Sequence, residues 1–275
     1  YIAPQVWAWR SGRVRTIKRR VDKLGVILPF EENYFKQKGV DTEYVGHPLL
    51  DTVQTTLSRD DFFHKHNIRT HQRCIGLLPG SRKKEIITLL PSFLEAAEIL
   101  QKSEKQLGSL VFLIPQASTI TRKDLDDAGL TVFQDRLDIK VITDDRYNMM
   151  SVCDGAVAAS GTVTLELAIL KIPMVVVYRL TNITYFLGRL LVNLDHFSLV
   201  NLIAGKTAVP ELLQHEVTAP NIAQKLASIA GRTGEREQIL LDLQEVKSLL
   251  GERGASKKAA DVAHGLLYNG EADDR

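Results

Sequence analysis

Three stretches of the 275-residue chain combine side chains able to hold an anion or a sugar with backbone that can approach one. In Leu77-Leu78-Pro79-Gly80-Ser81-Arg82-Lys83-Lys84-Glu85 an apolar run ends in a Pro-Gly turn. A serine, an arginine and two lysines then precede a helical pattern. Gly80 admits a ligand close to the main chain, Ser81 offers a hydroxyl, and Arg82 offers a planar fork matched to phosphate oxygens. A plain turn with a serine helix cap is the competing reading. In Ala158-Ala159-Ser160-Gly161-Thr162-Val163-Thr164-Leu165-Glu166 a second apolar run meets a Ser-Gly-Thr turn that opens a helix. Free N–H groups at such a start favour an anion by about 0.3–1 kcal/mol. Glu166, one turn past Thr162, would repel a phosphate but can accept both hydroxyls of a ribose; a capping Ser160 and a solvated Glu166 form the alternative. Two such corners in one sheet point to a nucleotide diphosphate. The third stretch follows Trp7 and Trp9. Arg10, Arg13, Arg15, Lys18, Arg19, Arg20 and Lys23 accompany Val14, Ile17, Val21 and Leu24 at helical spacing, a basic amphipathic helix. A solvated surface face is the first reading, and a phosphate, nucleic-acid or anionic membrane contact is the alternative.

Other patterns carry no chemistry. Ala204-Gly205-Lys206-Thr207 looks like the end of a P-loop, but its leading glycine would fall at Val200 and Pro210 follows closely. There is no G-x-G-x-x-G and no G-x-S-x-G. His64 and His66 lack partners at metal spacing. The acidic pairs Asp60-Asp61, Asp126-Asp127 and Asp144-Asp145 sit at turns or helix starts, where solvation and capping account for them. Neither a metal nor a cofactor is expected.

The elements that must position these corners read as a layered α/β protein. Strand-like runs at Leu24–Leu28, Thr42–Val45, Cys74–Leu78, Leu110–Ile114, Ile139–Ile142, Ala156–Ala158 and Met174–Tyr178 alternate with helical patterns near Glu31–Lys38, Pro91–Ser103, Arg146–Val152 and Thr162–Leu170. Such alternation implies βαβ units and a parallel sheet, and continuously apolar strands imply cover on both faces. The polar stretch 59–73 reads as a connector between residues 1–58 and an α/β domain at 74–218, with helices and a frayed tail over 219–275. Hydrophobic residues at 44% and charged residues at 25% are ordinary for a globular protein, and a net charge of +2 argues against a polyanion binder. The two cysteines, Cys74 and Cys153, exclude a disulfide scaffold and favour a reducing compartment. No apolar run approaches the ~18 residues of a membrane span. The chain opens at Tyr1-Ile2-Ala3-Pro4 without an initiator Met, and a preceding N-terminal portion is expected.

The ordered set of motifs resembles the lipid-A-disaccharide synthase family. The matching segments are Pro4-Gln5-Val6-Trp7-Ala8-Trp9-Arg10, Leu28-Pro29-Phe30-Glu31, Gly46-His47-Pro48-Leu49-Leu50-Asp51, Leu78-Pro79-Gly80-Ser81-Arg82 and Ser160-Gly161-Thr162 through Glu166. Pro173-Met174-Val175-Val176-Val177-Tyr178-Arg179 and Ser198-Leu199-Val200-Asn201-Leu202-Ile203-Ala204-Gly205 extend the likeness over most of the chain. The resemblance implies a GT-B glycosyltransferase of two Rossmann-like parallel-sheet domains, the first incomplete here, with C-terminal helices. It implies transfer of 2,3-diacylglucosamine from UDP-2,3-diacylglucosamine to 2,3-diacylglucosamine 1-phosphate (lipid X), with inversion and release of UDP, at the cytoplasmic face of the inner membrane of Gram-negative bacteria. A peripheral contact with that membrane surface and a homodimer are further expectations; nucleic acid is not an expected partner.

By the same resemblance Gly80, Ser81, Arg82, Ser160, Gly161 and Thr162 line the UDP diphosphate site and Glu166 holds the ribose. Ser198 and Asn201 complete the donor pocket, Gln116 borders the uracil, and Arg82 stabilises the leaving diphosphate as the catalytic choice. Trp7, Trp9, Arg10, Arg13 and His47 fall on the acceptor and membrane side; for His47 a structural turn histidine is the equal alternative. The family's glycine-rich first βα units, with the aspartate taken as general base, have no counterpart here, so binding of UDP with poor turnover is expected. The alternatives are another UDP-sugar GT-B enzyme such as a UDP-N-acetylglucosamine 2-epimerase or a peptidoglycan glycosyltransferase, a nucleic-acid module using the basic helix, and a non-catalytic UDP-binding fragment.

Overall fold

The first strands are short. β1 (Leu24–Val26) and β2 (Thr42–Tyr44) pair in parallel with Leu24 opposite Thr42 in a computed structural model that describes residues 1–9, 11–103, 107–179 and 196–269. A parallel pair needs a crossover, here the helix Pro29–Gln37, which Pro29 opens with its preset φ. Its buried Glu31 accepts the Leu28 amide at 3.1 Å and the Trp7 indole N–H at 3.0 Å, while Trp7 meets Phe30 edge-on. Burial pushes the Glu31 carboxyl up, and those two donors oppose the rise. Ala3, Val6, Val14, Leu24, Val26, Phe35 and Val40 form the core beneath.

Two compact units make up the described residues: 1–52 with 246–269, and 53–179 with 196–245. The first unit is closed by its distant segment. Tyr44 Oη donates to the Leu249 carbonyl at 3.1 Å, the His47 amide to the Leu250 carbonyl at 3.3 Å, and the Gly254 amide to the Asp51 carboxylate at 2.6 Å. The residues read as one C-terminal block are thus divided. Ala219–Ala230 buries Ile222, Ala223, Leu226, Ile229 and Ala230 in the second unit, whereas 246–269 belong to the first.

The basic helix is shorter than its pattern implied, Val14–Arg20 after a single 3-10 turn. Val21 is already extended and Leu24 belongs to β1, so only Val14 and Ile17 face inward. Arg13, Arg15, Lys18, Arg19 and Arg20 are exposed.

The second unit holds six strands, all parallel: β3 (Arg73–Leu78), β4 (Leu110–Pro115), β5 (Ile139–Ile142), β6 (Gly155–Ala159), β7 (Met174–Tyr178) and β8 (Glu211–Leu213). Their spatial order is β5-β4-β3-β6-β7-β8. This is the doubly wound order, in which the chain reverses direction across the sheet between its first and fourth strands. The reversal falls between β3 and β6, whose carboxyl ends lead into the Gly80 and Ser160 corners. Packing at the centre is close: a Cβ on Gly76 would lie 2.9 Å from Leu78 Cδ1 and 3.2 Å from Ala156 Cβ.

Two elements differ from their sequence reading. The helix expected from Pro91 begins at Lys83 and runs through Pro91 to Ser103. An interior proline costs about 3 kcal/mol. Burial of Ile86, Leu89 and Leu90, at about 1.5–3 kcal/mol each, outweighs it. Within the stretch read as a connector, Arg59–Lys65 is a helix capped by Ser58, with Phe62 and Phe63 buried in the second unit. Arg59 donates to the Val152 carbonyl at 2.6 Å, and Asn148 Oδ1 accepts the Thr56 and Leu57 amides. Among the described residues no helix is long and apolar enough to cross a membrane.

Candidate functional site

A cleft of about 580 Å³ opens where the strand order reverses, at the carboxyl ends of β3, β4, β5 and β6. This is the ligand position of open α/β sheets, and its volume lies in the range of small-molecule sites. Gly80, Ser81, Arg82, Gln116, Ser160, Gly161, Thr162 and Glu166 all line it, so eight residues singled out in the sequence converge. Glu85, Thr119, Asp144 and Arg146 join them.

At the β3 corner Gly80 has φ +113, a conformation that favours glycine, and an added Cβ would lie only 2.2 Å from Glu85 Oε2. That carboxylate accepts the Ser81 amide at 3.0 Å, the Arg82 amide at 3.2 Å and Arg82 Nη1 at 3.1 Å. The helix start is therefore capped by Glu85 from within, not by Ser81. The Arg82 side chain, paired with Glu85, is nevertheless 82% exposed at the edge of the cleft. Thr119, in the loop after β4, donates to the Ser81 carbonyl at 2.6 Å and ties that loop to the β3 corner. Gln116 spends its amide on the Ile120 carbonyl at 2.8 Å, bracing the same loop.

At the β6 corner Gly161 is the extended N-cap of the helix Thr162–Ile169, and no side chain caps that start. Ser160 is anchored through its amide to the Val177 carbonyl at 2.8 Å, and Thr164 Oγ1 donates back to the Gly161 carbonyl at 2.8 Å. The uncapped amides thus face an open cleft, the arrangement suited to an oxyanion. Glu166 is 5% exposed, contrary to a solvated acid. Its Oε1 lies 2.8 Å from Arg146 Nη2 and 3.3 Å from Tyr147 Oη. Burial raises the carboxyl above its usual range, and Arg146 opposes that rise.

Ser198 and Asn201 are not brought to the cleft. Both are fully buried: Ser198 Oγ caps the helix Leu199–Ala204, and Asn201 bonds the Val209 carbonyl at 2.9 Å and Glu211 Oε1 at 2.8 Å. Glu211 also takes the Phe197 and Ser198 amides, so the cluster fastens β8 to β7. Short polar side chains at a helix start serve as caps as readily as ligands, and here the cap prevails. In the first unit Trp7 is consumed by Glu31, and His47 is a buried turn residue whose Nδ1 accepts the Leu49 amide at 3.2 Å. Burial pushes the His47 imidazole down to about 4, so it is neutral near pH 7. Arg13 is exposed; Arg10 lies outside the described residues, as does the side chain of Trp9. Among the described residues no group of three or more His, Cys, Asp or Glu is placed to hold a metal ion.

Arg146 and Glu85 had escaped the sequence reading as cleft residues. Glu85 follows Arg82 at capping spacing, a usable signal. Arg146 directly follows the acidic pair Asp144-Asp145, and nothing in its neighbours points across the fold to Glu166.

The family model described as lipid-A-disaccharide synthetase matches residues 1–264. The lipid-A-disaccharide synthase of Syntrophus aciditrophicus is 42% identical over 267 residues, covering 97% of this chain and 68% of that protein. Those of Geobacter sulfurreducens and Myxococcus xanthus are each 39% identical, covering 97% and 98% of this chain and 68% and 69% of those proteins. The chain thus spans about two thirds of the length of these relatives. Among solved structures, the glycosyltransferase WaaG of lipopolysaccharide biosynthesis aligns with a TM-score of 0.53 at 14% identity, covering 87% of this chain and 61% of that one. Anabaena HepE in complex with UDP-glucose aligns at 0.52 with 11% identity, covering 94% and 68%. Likeness at these identities shows the fold, that of GT-B glycosyltransferases.

Proposed function

Because the chain belongs to the lipid-A-disaccharide synthase family of hexosyltransferases, we propose that its second unit binds UDP-2,3-diacylglucosamine as the sugar donor. The acceptor is lipid X, the product is the lipid A disaccharide 1-phosphate, and UDP leaves. The observation that carries this reading is the convergence at the strand-order reversal of two glycine corners and a buried carboxylate. The Ser81, Gly161 and Thr162 region supplies amide and hydroxyl donors for the diphosphate. Arg82 reaches the β-phosphate, whose negative charge grows as the glycosidic bond to it breaks. A preorganised cation there stabilises the transition state more than the ground state. Glu166 accepts ribose hydroxyls at the far end of the cleft, and Gln116 keeps the β4 loop in place beside the base.

The acceptor side belongs to the first unit. The exposed cations Arg13, Arg15, Lys18, Arg19 and Arg20 favour an anionic membrane surface at about 1 kcal/mol each, and the reading places the enzyme on the inner face of the cytoplasmic membrane. A homodimer completes it, checked by sedimentation.

Calorimetric titration with UDP and with uridine tests the donor site. Arg82→Ala should weaken UDP about tenfold, the loss of one charge-assisted contact, and leave uridine within about twofold. Equal weakening of both ligands removes Arg82 from the diphosphate, and no binding of UDP by the folded chain refutes the donor site.

A further inference from the structure

Among the described residues three carboxylates line the cleft, Glu85, Asp144 and Glu166, and of these Glu166 alone is buried. An ionised carboxylate in that position needs a partner, since desolvation favours its neutral form. Two consecutive residues at the start of the helix Arg146–Ser151 supply one. Arg146 Nη2 sits 2.8 Å from Glu166 Oε1, and Tyr147 Oη sits 3.3 Å from the same atom. The guanidinium lies 4.5 Å above the Tyr147 ring, which fixes its plane while more than half of the arginine side chain stays exposed. Both contacts fall on Oε1, so Oε2 keeps its acceptor capacity.

Among the described residues no other element packed against Glu166 balances it. Its own helix Thr162–Ile169 bears no second titratable group, β6 and the helix Leu199–Ala204 bear none, and β7 contributes only Tyr178. Arg82, the other cation lining the cleft beside Arg146, is engaged with Glu85.

We propose that Arg146 is a positioning residue for the nucleoside: braced on Tyr147, it holds Glu166 ionised through one oxygen so that the other receives the ribose hydroxyls. The inference rests on Glu166 as the ribose acceptor. A carboxylate accepts from both hydroxyls; a carboxylic acid gives up part of that capacity and presents a donor instead. Burial raises the Glu166 carboxyl and Arg146 is the largest influence against it, so removing Arg146 raises it further. Nucleoside affinity then falls on acidification, and the fall begins at higher pH.

The test titrates this chain with uridine and with 2′-deoxyuridine from pH 5 to 8. Neither ligand carries a phosphate, so neither brings a phosphate titration into the window. The unmodified chain should prefer uridine about tenfold, the worth of one hydrogen bond to a charged acceptor. In Arg146→Gln the midpoint of the acid-side loss of uridine affinity should rise by about one pH unit or more, the effect of withdrawing an adjacent opposite charge. Arg146→Lys should restore the original midpoint. An unshifted midpoint in folded Arg146→Gln overturns the proposal. So does loss of uridine at every pH in both variants, which would make Arg146 a direct ligand contact. If the unmodified chain binds both nucleosides equally, the ribose role of Glu166 itself falls, and the proposal with it.

Discussion

Gly80 and Glu85 form a pair whose coupling can be measured. A methyl group at Gly80 meets two obstacles: φ +113, and the Glu85 carboxylate with Oε2 at 2.2 Å and Cδ at 3.0 Å. The backbone strain costs about 1–3 kcal/mol. The steric conflict is relieved only when the carboxylate leaves, which forfeits its bonds to the Ser81 and Arg82 amides and to Arg82 Nη1. With the Glu85 side chain one-third exposed, those contacts contribute about 1–2 kcal/mol in all. Gly80→Ala should therefore destabilise by about 2–5 kcal/mol and Glu85→Ala by about 1–2 kcal/mol, and the double variant should cost no more than Gly80→Ala alone. The coupling is then about 1–2 kcal/mol, well above the scatter of independent sites. Both tryptophans, Trp7 and Trp9, belong to the first unit, so urea unfolding of the second unit is followed by far-UV circular dichroism. Strict additivity of the two substitutions would refute the account, because it would mean that the carboxylate does not occupy the space the methyl group needs.

Two further outcomes are expected. His47 takes up a proton below about 6.5 when unfolded but only near 4 when folded, so its contribution to the stability of the first unit is fully present above pH 6.5 and is lost as pH falls toward 4. The loss amounts to about 3 kcal/mol; His47→Asn should flatten it in tryptophan-monitored unfolding, and an unchanged acid slope would contradict the burial argument. Asn201→Ala leaves Glu211 and Val209 without their partner and should cost about 2–4 kcal/mol while UDP affinity stays within about threefold. Selective loss of UDP at unchanged stability would return Asn201 to the donor pocket.

Much of the second unit was legible because its strands are buried on both faces. Cys74–Leu78, Leu110–Ile114 and Met174–Tyr178 are unbroken apolar runs, a pattern few other settings produce. The Gly80 and Ser160 corners were legible for a related reason: the residues that follow such strands must turn, and the doubly wound order brings the turns together. β8 escaped because Glu211 breaks its apolar run, and the reason for that glutamate, the Ser198 and Asn201 amides, is visible only in three dimensions. The helix from Lys83 was shortened in the sequence reading because Pro91 looked like a beginning. Ser198 and Asn201 lie off the cleft, as a cap and a brace, and a cap and a ligand contact use the same letters. Arg146 stands twenty residues from Glu166, and pairing at that distance follows from the sheet, not from spacing.

The return of residues 246–269 to the first unit has a consequence in time. Residues 1–52 are made before residues 246–269, so the bonds from Tyr44, His47 and Asp51 must wait for Leu249, Leu250 and Gly254. At about 5–20 residues per second, synthesis of the intervening chain takes on the order of 10–40 s. Throughout that interval Tyr44, His47 and Asp51 lack those partners, while the span 53–245 that contains the second unit is being completed. Closure of the first unit therefore follows synthesis of the second: a chain that stalls before Leu249 has every residue of the second unit and none of these three bonds.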